Sequence, residues 1–325
     1  MHRGVIIGTG SCLPERVLTN SDLEKMVDTS DEWITTRTGI KQRYIAGKGE
    51  ETSKIAAQAA RRALAMADVS PEEIGLIVVG TISSEMSMPS CACLVQKEIG
   101  ANNAFAYDLN AACAGFTYCL DLADKYVRSN PELTVLVIGA ETLSARTNWK
   151  DRNTCVLFGD GAGACVVSAD NAGRGLLGSY LRSDGRYWDL LHMDAAPSMN
   201  PDINASHSEA SFILMNGRDV FKHAVRAMTD AVDNVMTSVG VTSEQIDLVI
   251  PHQANIRILN SLIERLNLGR EKFYINIENY GNTSAASIPI AIDEANRQGV
   301  LKRGDVLLLC TFGAGLAWGA ALIKW

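Results

Sequence analysis

Apolar residues along this chain follow two different spacings. Continuous apolar runs at residues 76–79 and 134–138 are typical of β-strands that are buried on both faces. An Ala-rich stretch at residues 52–67 has its apolar positions at helical spacing, and further helix-like stretches separate the other strand-like runs. This alternation predicts an α/β protein with a parallel sheet that helices cover on both faces.

The same pattern occurs twice in the chain. The segment SPEEIGLIV at residues 70–78 aligns with TSEQIDLVI at residues 242–250, an offset of 172 positions. At this offset the strand-like run 134–138 also matches residues 306–310. Matches at a single offset predict a chain made of two similar halves.

We place the two halves at residues 1–172 and 173–325. Close to the boundary, residues 183–212 are rich in Asp, Asn, Ser, Pro and Met. Such a composition is typical of loops and turns, so we predict a long excursion or a pair of ribbons there.

Composition narrows the class of protein. The 325 residues are 47% hydrophobic and 21% charged, as in globular proteins, and the net charge of −7 without a Lys/Arg block argues against nucleic-acid binding. No apolar run has the roughly 18 residues of a membrane span, and the first apolar segment is too short for a signal peptide. Eight cysteines without a CxxC pair argue against a disulfide framework or a zinc site. We therefore expect a cytoplasmic protein that binds no membrane.

One stretch of the sequence contains a candidate nucleophile. Cys113 lies at a predicted strand-to-helix corner and is surrounded by small residues, which would allow a substrate to approach closely. A helix N-terminus favours a thiolate, so we expect the pKa of Cys113 to lie below the roughly 8.5 of a free cysteine. The backbone N–H groups there could hold an oxyanion. The alternative is a small buried hydrophobic residue, the usual role of a free cysteine.

Two other predicted corners should converge on this cysteine. Asn282 matches Asn110 at the repeat offset, and His252 follows the strand-like run that ends at Ile250. Ligands of α/β folds bind beyond the carboxyl ends of the strands, so we expect Cys113, His252 and Asn282 to share one pocket. A lone histidine is more often structural than catalytic, and the hypothesis depends on this convergence.

Four segments together resemble the motifs of the β-ketoacyl-[acyl-carrier-protein] synthase III family, the initiating condensing enzymes of type II fatty acid synthesis: DLNAACAGF (108–116), PHQAN (251–255), GNTSAAS (281–287) and FGDGAGA (158–164). The likeness extends from Gly4 to Trp325. It implies an α/β, thiolase-like fold in which two pseudo-symmetric halves form a five-layered αβαβα core. It also implies a homodimer.

The resemblance implies a role for each matched catalytic residue. Cys113 would take an acyl group from a short acyl-CoA, and His252 and Asn282 would assist the decarboxylation of malonyl-acyl-carrier protein. Backbone N–H groups of Cys113 and Ala314 would form the oxyanion hole, although Ala314 lies in a turn that is often all glycine in the family. Acyl-CoA and the malonyl carrier are substrates, and we expect no cofactor and no metal.

Further positions are matched to substrates and partners. For coenzyme A, the family places Trp33 and Arg152 on either side of the adenine, Arg37 near the phosphates and Asn255 near the pantetheine, with Thr29 as an additional candidate. The acyl carrier protein would bind a basic patch at Arg257, with Lys222 and Arg265 as further candidates that could also belong to an ordinary solvated helix face.

The acyl pocket is matched to Met88 and Phe312. Met88 stands where the family often has a phenylalanine that reaches into the pocket of the partner subunit. A flexible thioether leaves more room than a ring, so primers slightly longer or more branched than acetyl are a hypothesis.

Several alternatives stay open from the sequence. A relative with the same three residues could use another primer or acceptor, in a polyketide or signal-molecule pathway. A degradative thiolase is disfavoured because Cys310 lies in a predicted strand rather than in a glycine-rich loop. A catalytically silent carrier-binding partner would be expected to lack Cys113, and a cysteine hydrolase would also use Cys, His and Asn.

Overall fold

The computed structural model describes residues 2–195 and 211–325, so the central part of the segment 183–212 lies outside the described residues. The strands are β1 (Arg3–Cys12), β2 (Arg16–Thr19), β3 (Gln42–Ile45), β4 (Ile74–Gly80), β5 (Phe105–Leu109), β6 (Thr134–Thr142), β7 (Asp160–Asp170), β8 (Gly175–Ser183), β9 (Leu191–His192), β10 (Leu214–Met215), β11 (Leu248–Pro251), β12 (Val306–Gly313) and β13 (Ala317–Lys324). The α-helices are α1 (Asn20–Leu23), α2 (Asp31–Thr38), α3 (Thr52–Ala67), α4 (Cys91–Ile99), α5 (Gly115–Ser129), α6 (Arg152–Cys155), α7 (Gly217–Val239), α8 (Ile256–Leu266), α9 (Ile277–Tyr280) and α10 (Ser287–Arg297).

The first sheet has the strand order β1-β7-β6-β4-β5. Strands β4, β5 and β6 are parallel, as their continuous apolar runs predict, but β7 is antiparallel to both β6 and β1. The prediction of a parallel sheet is therefore confirmed for β4, β5 and β6, whereas β7 and β1 make the sheet mixed. Thr142 at the end of β6 pairs with Asp160 at the start of β7, so the connection leaves and re-enters the sheet at the same edge. A strand that returns in this way must run antiparallel to its neighbour.

The second sheet, with the order β11-β12-β13-β8, repeats the first. Strand β11 corresponds to β4, β12 to β6, β13 to β7 and β8 to β1, and the parallel and antiparallel pairings match. At the offset of 172, the counterpart of β5 is the short helix α9. The repeat predicted from the sequence is thus confirmed in the strand order.

The turns of the two halves match as closely as the strands. Short 3₁₀ turns precede β4 and β11, and each begins with a capping box, from Ser70 in one half and Thr242 in the other. A second pair of 3₁₀ turns, Ala112–Ala114 and Ser284–Ala286, precedes α5 and α10. Both pairs are separated by 172 positions, so the same local chemistry recurs at the same place in each half.

The elements stack in five layers. One buried cluster joins α3 and α4 to the outer face of the first sheet, and another joins α7 and α8 to the outer face of the second. A third cluster places α5 and α10 between the two sheets. The protein therefore has the αβαβα core of the thiolase-like fold, and the N-termini of its two central helices meet in the middle.

The predicted excursion is described only at its two ends. Strand β9, before residues 196–210, pairs with β10, after them, in a two-stranded antiparallel ribbon with Leu214 opposite His192. Across residues 2–195 and 211–325, no helix combines the length and the apolar character needed to cross a bilayer.

Candidate active site

Cys113 lies in the 3₁₀ turn between β5 and α5, at the corner predicted from the sequence. The preceding residue, Ala112, has a φ of 45°, a left-handed conformation that turns the chain sharply. The hydroxyl of Thr311 on β12 donates a hydrogen bond of 3.0 Å to the carbonyl of Cys113. Strand β12 of the second half therefore fixes the cysteine of the first half.

The two halves come into close contact at Gly313. A Cβ built on this residue would lie 2.7 Å from the backbone nitrogen of Cys113, closer than real side-chain contacts allow. Only glycine lets the end of β12 approach the turn so closely. The adjacent Ala314, proposed from the resemblance as an oxyanion donor, is thereby held beside the cysteine and lines the same cavity.

The cysteine opens into a cavity of about 750 Å³, a volume typical of small-molecule sites. Its wall includes Cys113, Ser284, Ala314 and Phe158 from both halves, and its mouth includes Trp188. The two halves thus build one shared pocket at the point where α5 and α10 begin. This is the geometry expected for a ligand site beyond the carboxyl ends of parallel strands.

Asn282 is buried one residue away from the second 3₁₀ turn, with 7% of its surface exposed. Its side-chain oxygen accepts a hydrogen bond of 2.9 Å from the backbone N–H of Ser284. Its backbone pairs with Leu157 and Gly159, in the FGDGAGA region of the first half. Because Oδ1 is occupied by a backbone donor, the amide is fixed with its Nδ2 donor directed away from that N–H.

His252 follows β11 and is 2% exposed. Its backbone N–H donates a hydrogen bond of 2.8 Å to Cys310 on β12, one residue before the threonine that holds Cys113. Burial lowers the pKa of His252 to about 4, so the imidazole is neutral at pH 7. Its Nδ1 has no hydrogen-bond partner among the described residues.

The cysteine and the two partner residues are therefore connected through short links. Thr311 and Cys310 of β12 tie Cys113 to His252, and Ser284, which lines the same cavity as Cys113, donates its backbone N–H to Asn282. Cys113 is on the cavity wall, whereas His252 and Asn282 are buried and do not line the open space. Their catalytic roles remain predictions.

The expectation of a lowered thiol pKa was wrong for the unliganded protein. Burial is the largest cause that raises the pKa of Cys113, to about 12, while the Ser284 hydroxyl lowers this pKa and the negative charge of Glu141 contributes to raising it. The helix proper begins only at Gly115, so its N-terminus does not offset the loss of water around the sulfur.

A buried glutamate was missed in the sequence. Glu141 lies near the end of β6, and its Oε1 accepts a hydrogen bond of 3.0 Å from the hydroxyl of Ser284. Its Oε2 accepts hydrogen bonds from the Ser83 hydroxyl (2.5 Å), the Thr81 hydroxyl (3.2 Å) and the Ile82 N–H (3.1 Å). Burial raises the pKa of Glu141 to about 7. The sequence feature that could have revealed this glutamate is an acidic residue inside the apolar run at 134–142.

Three of the coenzyme A candidates lie together. Trp33 is on α2, and the guanidinium groups of Arg37 and Arg152 lie 4.7 and 4.9 Å from the centre of its ring. Arg152 also donates a hydrogen bond of 2.7 Å to the carbonyl of Asp28. An aromatic ring with two cations beside it suits a flat ring that carries phosphates.

The other two candidates have different surroundings. The hydroxyl of Thr29 is buried with no hydrogen-bond partner among the described residues. Asn255 caps α8, since its side-chain oxygen accepts a hydrogen bond of 2.8 Å from the N–H of Arg257. Its amide nitrogen is the group that a substrate could use.

The carrier-protein candidates are exposed on the outer helices. Arg257 and Arg265 lie on α8, and Lys222 lies on the neighbouring α7, where it forms an ion pair of 3.1 Å with Asp219. Such an exposed pair contributes little to stability.

The two acyl-pocket candidates are found apart. Met88 is 85% exposed, and Phe312 is buried in the cluster that joins the second sheet to α7 and α8. Phe158 is an aromatic residue on the cavity wall that was not predicted.

No group of three or more His, Cys, Asp or Glu side chains is placed to hold a metal ion in the part of the chain that the structure describes.

The fold and the site define a class: condensing enzymes of the thiolase-like fold, with a cysteine at the junction of two repeated halves. Comparison with known proteins identifies the family. The family model for 3-oxoacyl-[acyl-carrier-protein] synthase III matches residues 107–185, and the model for its C-terminal part matches residues 236–325.

Full-length relatives support the same family assignment. The chain is 57% identical over 321 residues to β-ketoacyl-[acyl-carrier-protein] synthase III of Desulfotalea psychrophila, covering 99% of both chains. The crystal structure of the Aquifex aeolicus VF5 3-oxoacyl-[acyl-carrier-protein] synthase III has a TM-score of 0.92 and 50% identity, covering 99% of this chain and 100% of that one. A priming β-ketosynthase of the R1128 polyketide pathway has the same TM-score but 34% identity, covering 99% and 96%. The chain belongs to the β-ketoacyl-[acyl-carrier-protein] synthase III family.

Proposed function

We propose that the protein starts fatty acid synthesis by joining a short acyl group, with acetyl as the reference primer, to a malonyl unit on acyl carrier protein. The products are a β-ketoacyl-carrier protein, free coenzyme A and carbon dioxide. The observation that supports this proposal best is the position of Cys113 on the wall of a cavity that both halves build.

In the first half-reaction the sulfur of Cys113 attacks the thioester carbonyl of acyl-CoA. The carbonyl oxygen becomes an oxyanion, which the backbone N–H groups of Cys113 and Ala314 would stabilise. The close contact at Gly313 supports this role because it holds the two backbone segments together. The tetrahedral intermediate collapses by breaking the bond to the coenzyme A sulfur, and the acyl group stays on the enzyme.

In the second half-reaction the malonyl thioester loses carbon dioxide. Negative charge moves to the thioester oxygen, where a neutral imidazole N–H from His252 and the Nδ2 donor of Asn282 would stabilise it. The low pKa of His252 supports this role, since a neutral ring donates a hydrogen bond without being a strong acid. The carbanion then attacks the acyl-cysteine and releases the β-ketoacyl product from the sulfur.

Intact-mass spectrometry after addition of a panel of acyl-CoAs tests this proposal. We expect a mass gain in the wild type that disappears in Cys113→Ser, and discharge of the acyl group as β-ketoacyl product when malonyl-carrier protein is added. Cys93→Ser is the matched control, because Cys93 is also a free, half-buried cysteine. An adduct that persists in Cys113→Ser, or none with any acyl-CoA, would contradict the proposed roles.

We propose that coenzyme A binds with its adenine against Trp33 and its phosphates near Arg37. The guanidinium of Arg152 now lies over the same ring, so it would have to move for the adenine to stack there. Acyl carrier protein is acidic, and the exposed cations of α8, Arg257 and Arg265, are the proposed docking surface. Lys222 is the weaker candidate, because Asp219 already neutralises it.

We also propose a homodimer. Strand β5 is at the edge of the first sheet, and Phe105 on this strand is 48% exposed. Met86 and Met88, in the loop before α4, are 51% and 85% exposed. Exposed apolar residues at a sheet edge are typical of an interface, and a second copy would cover them by the same surface. Met88 could then reach the partner's acyl pocket, where its flexible side chain would admit slightly longer or branched primers.

Sedimentation equilibrium checks the dimer: Phe105→Lys should dissociate it, whereas Val300→Lys at another exposed apolar position should not. We further propose a reducing compartment such as the cytoplasm, because all eight cysteines are free.

A further inference from the structure

Arg43 on β3 is a fully buried arginine without an acidic partner. None of its surface is exposed, and among residues 2–195 and 211–325 no carboxylate forms an ion pair with its guanidinium. Burying a charge is costly unless the charged group is paired or hydrogen-bonded. The groups that accept hydrogen bonds from Arg43 therefore indicate what this residue does.

The guanidinium bonds to two separate segments of the first half. Nη1 donates to the side-chain oxygen of Asn20 (2.8 Å) and to the carbonyl of Leu18 (3.3 Å), where β2 passes into α1. Nη2 donates a hydrogen bond of 2.8 Å to the carbonyl of Val156, which lies between α6 and β7. A guanidinium is a rigid planar fork, so these bonds fix the Val156 carbonyl relative to the β2–α1 junction.

Asn282 of the second half is attached to the segment 156–159. Its backbone N–H donates a hydrogen bond of 2.9 Å to the carbonyl of Leu157, the residue after Val156. Its own carbonyl accepts a hydrogen bond of 3.0 Å from the N–H of Gly159. The backbone of Asn282 is thus paired with the segment that Arg43 holds.

Arg43 also packs against both chains of this pairing. A Cβ built on Gly159 would lie 3.0 Å from the Cβ of Arg43, and one built on Gly281 would lie 3.3 Å from the same atom. Gly281 directly precedes Asn282 in the chain. The side chain of Arg43 therefore begins beside the two backbone segments whose relative position sets the place of Asn282.

The link passes through one peptide unit, the one between Val156 and Leu157. Its N–H donates a hydrogen bond of 3.0 Å to the carbonyl of Thr154, and its carbonyl accepts the hydrogen bond from Arg43. Without the guanidinium this peptide would keep only the anchor at Thr154 and could rotate. Rotation moves the next carbonyl, that of Leu157, which receives the N–H of Asn282.

We propose that Arg43 is a positioning residue for Asn282: it fixes the segment 156–159, with which the backbone of Asn282 pairs, and so sets the place of the Asn282 amide. The inference rests on the proposed function, in which Asn282 stabilises the oxyanion of the decarboxylation and Cys113 takes up the acyl group. Arg43 therefore acts in the second half-reaction. Cys113 is held by Thr311 of β12 instead, so acylation does not depend on Arg43.

The test measures the two half-reactions separately by quench-flow in Arg43→Gln and Arg43→Lys. Carbon dioxide release by the pre-acylated protein should fall by about 100-fold in Arg43→Gln, the effect of a misplacement near 1 Å. The loss should be smaller in Arg43→Lys, because lysine keeps the charge and can still donate to one of the acceptors. Acylation of Cys113 at saturating acetyl-CoA should stay near the wild-type rate in both variants, which also shows that they fold.

The matched control is Arg303, an exposed arginine before β12. Neither Arg303→Gln nor Arg303→Lys should change either half-reaction. Wild-type carbon dioxide release in Arg43→Gln would overturn the proposal, and so would an equal loss in both half-reactions.

A double-mutant cycle with Asn282→Ala separates positioning from a general loss of structure. If Arg43 acts through the Asn282 amide, then Arg43→Gln in the Asn282→Ala background should lower carbon dioxide release by less than about twofold, the limit of additivity. A loss by the full factor in that background would contradict the proposal, and Arg43→Lys serves in the same cycle if Arg43→Gln does not fold. Failure of the proposed function would appear in Asn282→Ala alone, as carbon dioxide release at the wild-type rate, so the two proposals can fail separately.

Discussion

Gly313 offers a direct test of the contact between the two halves. In Gly313→Ala the new Cβ would lie 2.7 Å from the backbone nitrogen of Cys113, whereas ordinary contacts begin at 3.4 Å. The two segments must therefore separate by about 0.7 Å, the difference between these distances. The neighbouring atoms are backbone, of Cys113 and Ala114, so no flexible side chain can absorb the shift.

The expected result is a loss of activity larger than the loss of stability. Overpacking of this size costs about 1–3 kcal/mol of unfolding free energy. The shift falls on the two backbone segments proposed as the oxyanion hole, and a misplacement near 1 Å can cost about 100-fold in rate. We therefore expect the rate of acyl transfer to Cys113 to fall by about 10- to 100-fold in a protein that still folds.

The assay is stopped-flow or quenched acylation by acetyl-CoA, combined with urea unfolding of the same samples. Gly185→Ala is the control, since a Cβ there meets no atom within 4 Å and the backbone is not left-handed. Gly185→Ala should change neither the acylation rate nor the unfolding free energy appreciably. Wild-type acylation by Gly313→Ala would refute the reasoning that this glycine sets the geometry of the nucleophile.

Three further predictions concern the imidazole, the adenine site and a buried aspartate. His252→Ala should lower carbon dioxide release by about 10²- to 10³-fold while acylation of Cys113 stays near the wild-type rate, and parallel quench-flow measurements of the two half-reactions decide this. In the wild type, His252 should make the protein less stable in acid. The pKa of this residue is about 4 in the folded protein and 6.5 in the unfolded chain, so the unfolded chain binds the proton first as the pH falls. Between pH 7 and pH 5 this costs about 2 kcal/mol, and urea unfolding of His252→Gln should lack that component. Trp33→Ala should raise KM for acyl-CoA about tenfold with little change in kcat, because stacking of a base is worth about 1–3 kcal/mol, and Val300→Ala, at an exposed apolar position that does not line the cavity, is its control. Asp160→Asn should lower the unfolding free energy by about 1–3 kcal/mol, since this buried carboxylate accepts N–H groups of Ala46 and Ser144, and an unchanged urea midpoint would contradict that assignment.

Much of the site could be predicted from local sequence patterns. Cys113 and His252 each follow an apolar run, and the repeat offset assigned Asn282 to the corner equivalent to that of the cysteine. Secondary structure and repeats are visible in sequence because helix and strand impose their own periodicity on buried positions. The catalytic roles of these residues remain predictions, but their place in the fold followed from this periodicity.

Other features could not be deduced in this way. The antiparallel return of β7 depends on where the segment between β6 and β7 re-enters the sheet, and no periodicity encodes that. The prediction of a lowered pKa for Cys113 considered only the adjacent helix, whereas burial under both halves has the larger effect. Desolvation depends on every group that packs around the sulfur, including β12 from the far end of the chain.

The sequence by itself determined the α/β elements, the two repeated halves and the equivalent corners that hold Cys113 and Asn282, because these follow from the spacing of neighbouring residues and from the repeat offset. Only the tertiary structure decided which groups surround the sulfur. Glu141 and Ser284 are 143 positions apart in the chain, yet they form one hydrogen bond beside Cys113. Electrostatic interactions act over a few ångströms of space rather than along the chain, so the pKa values of these groups depend on the folded arrangement.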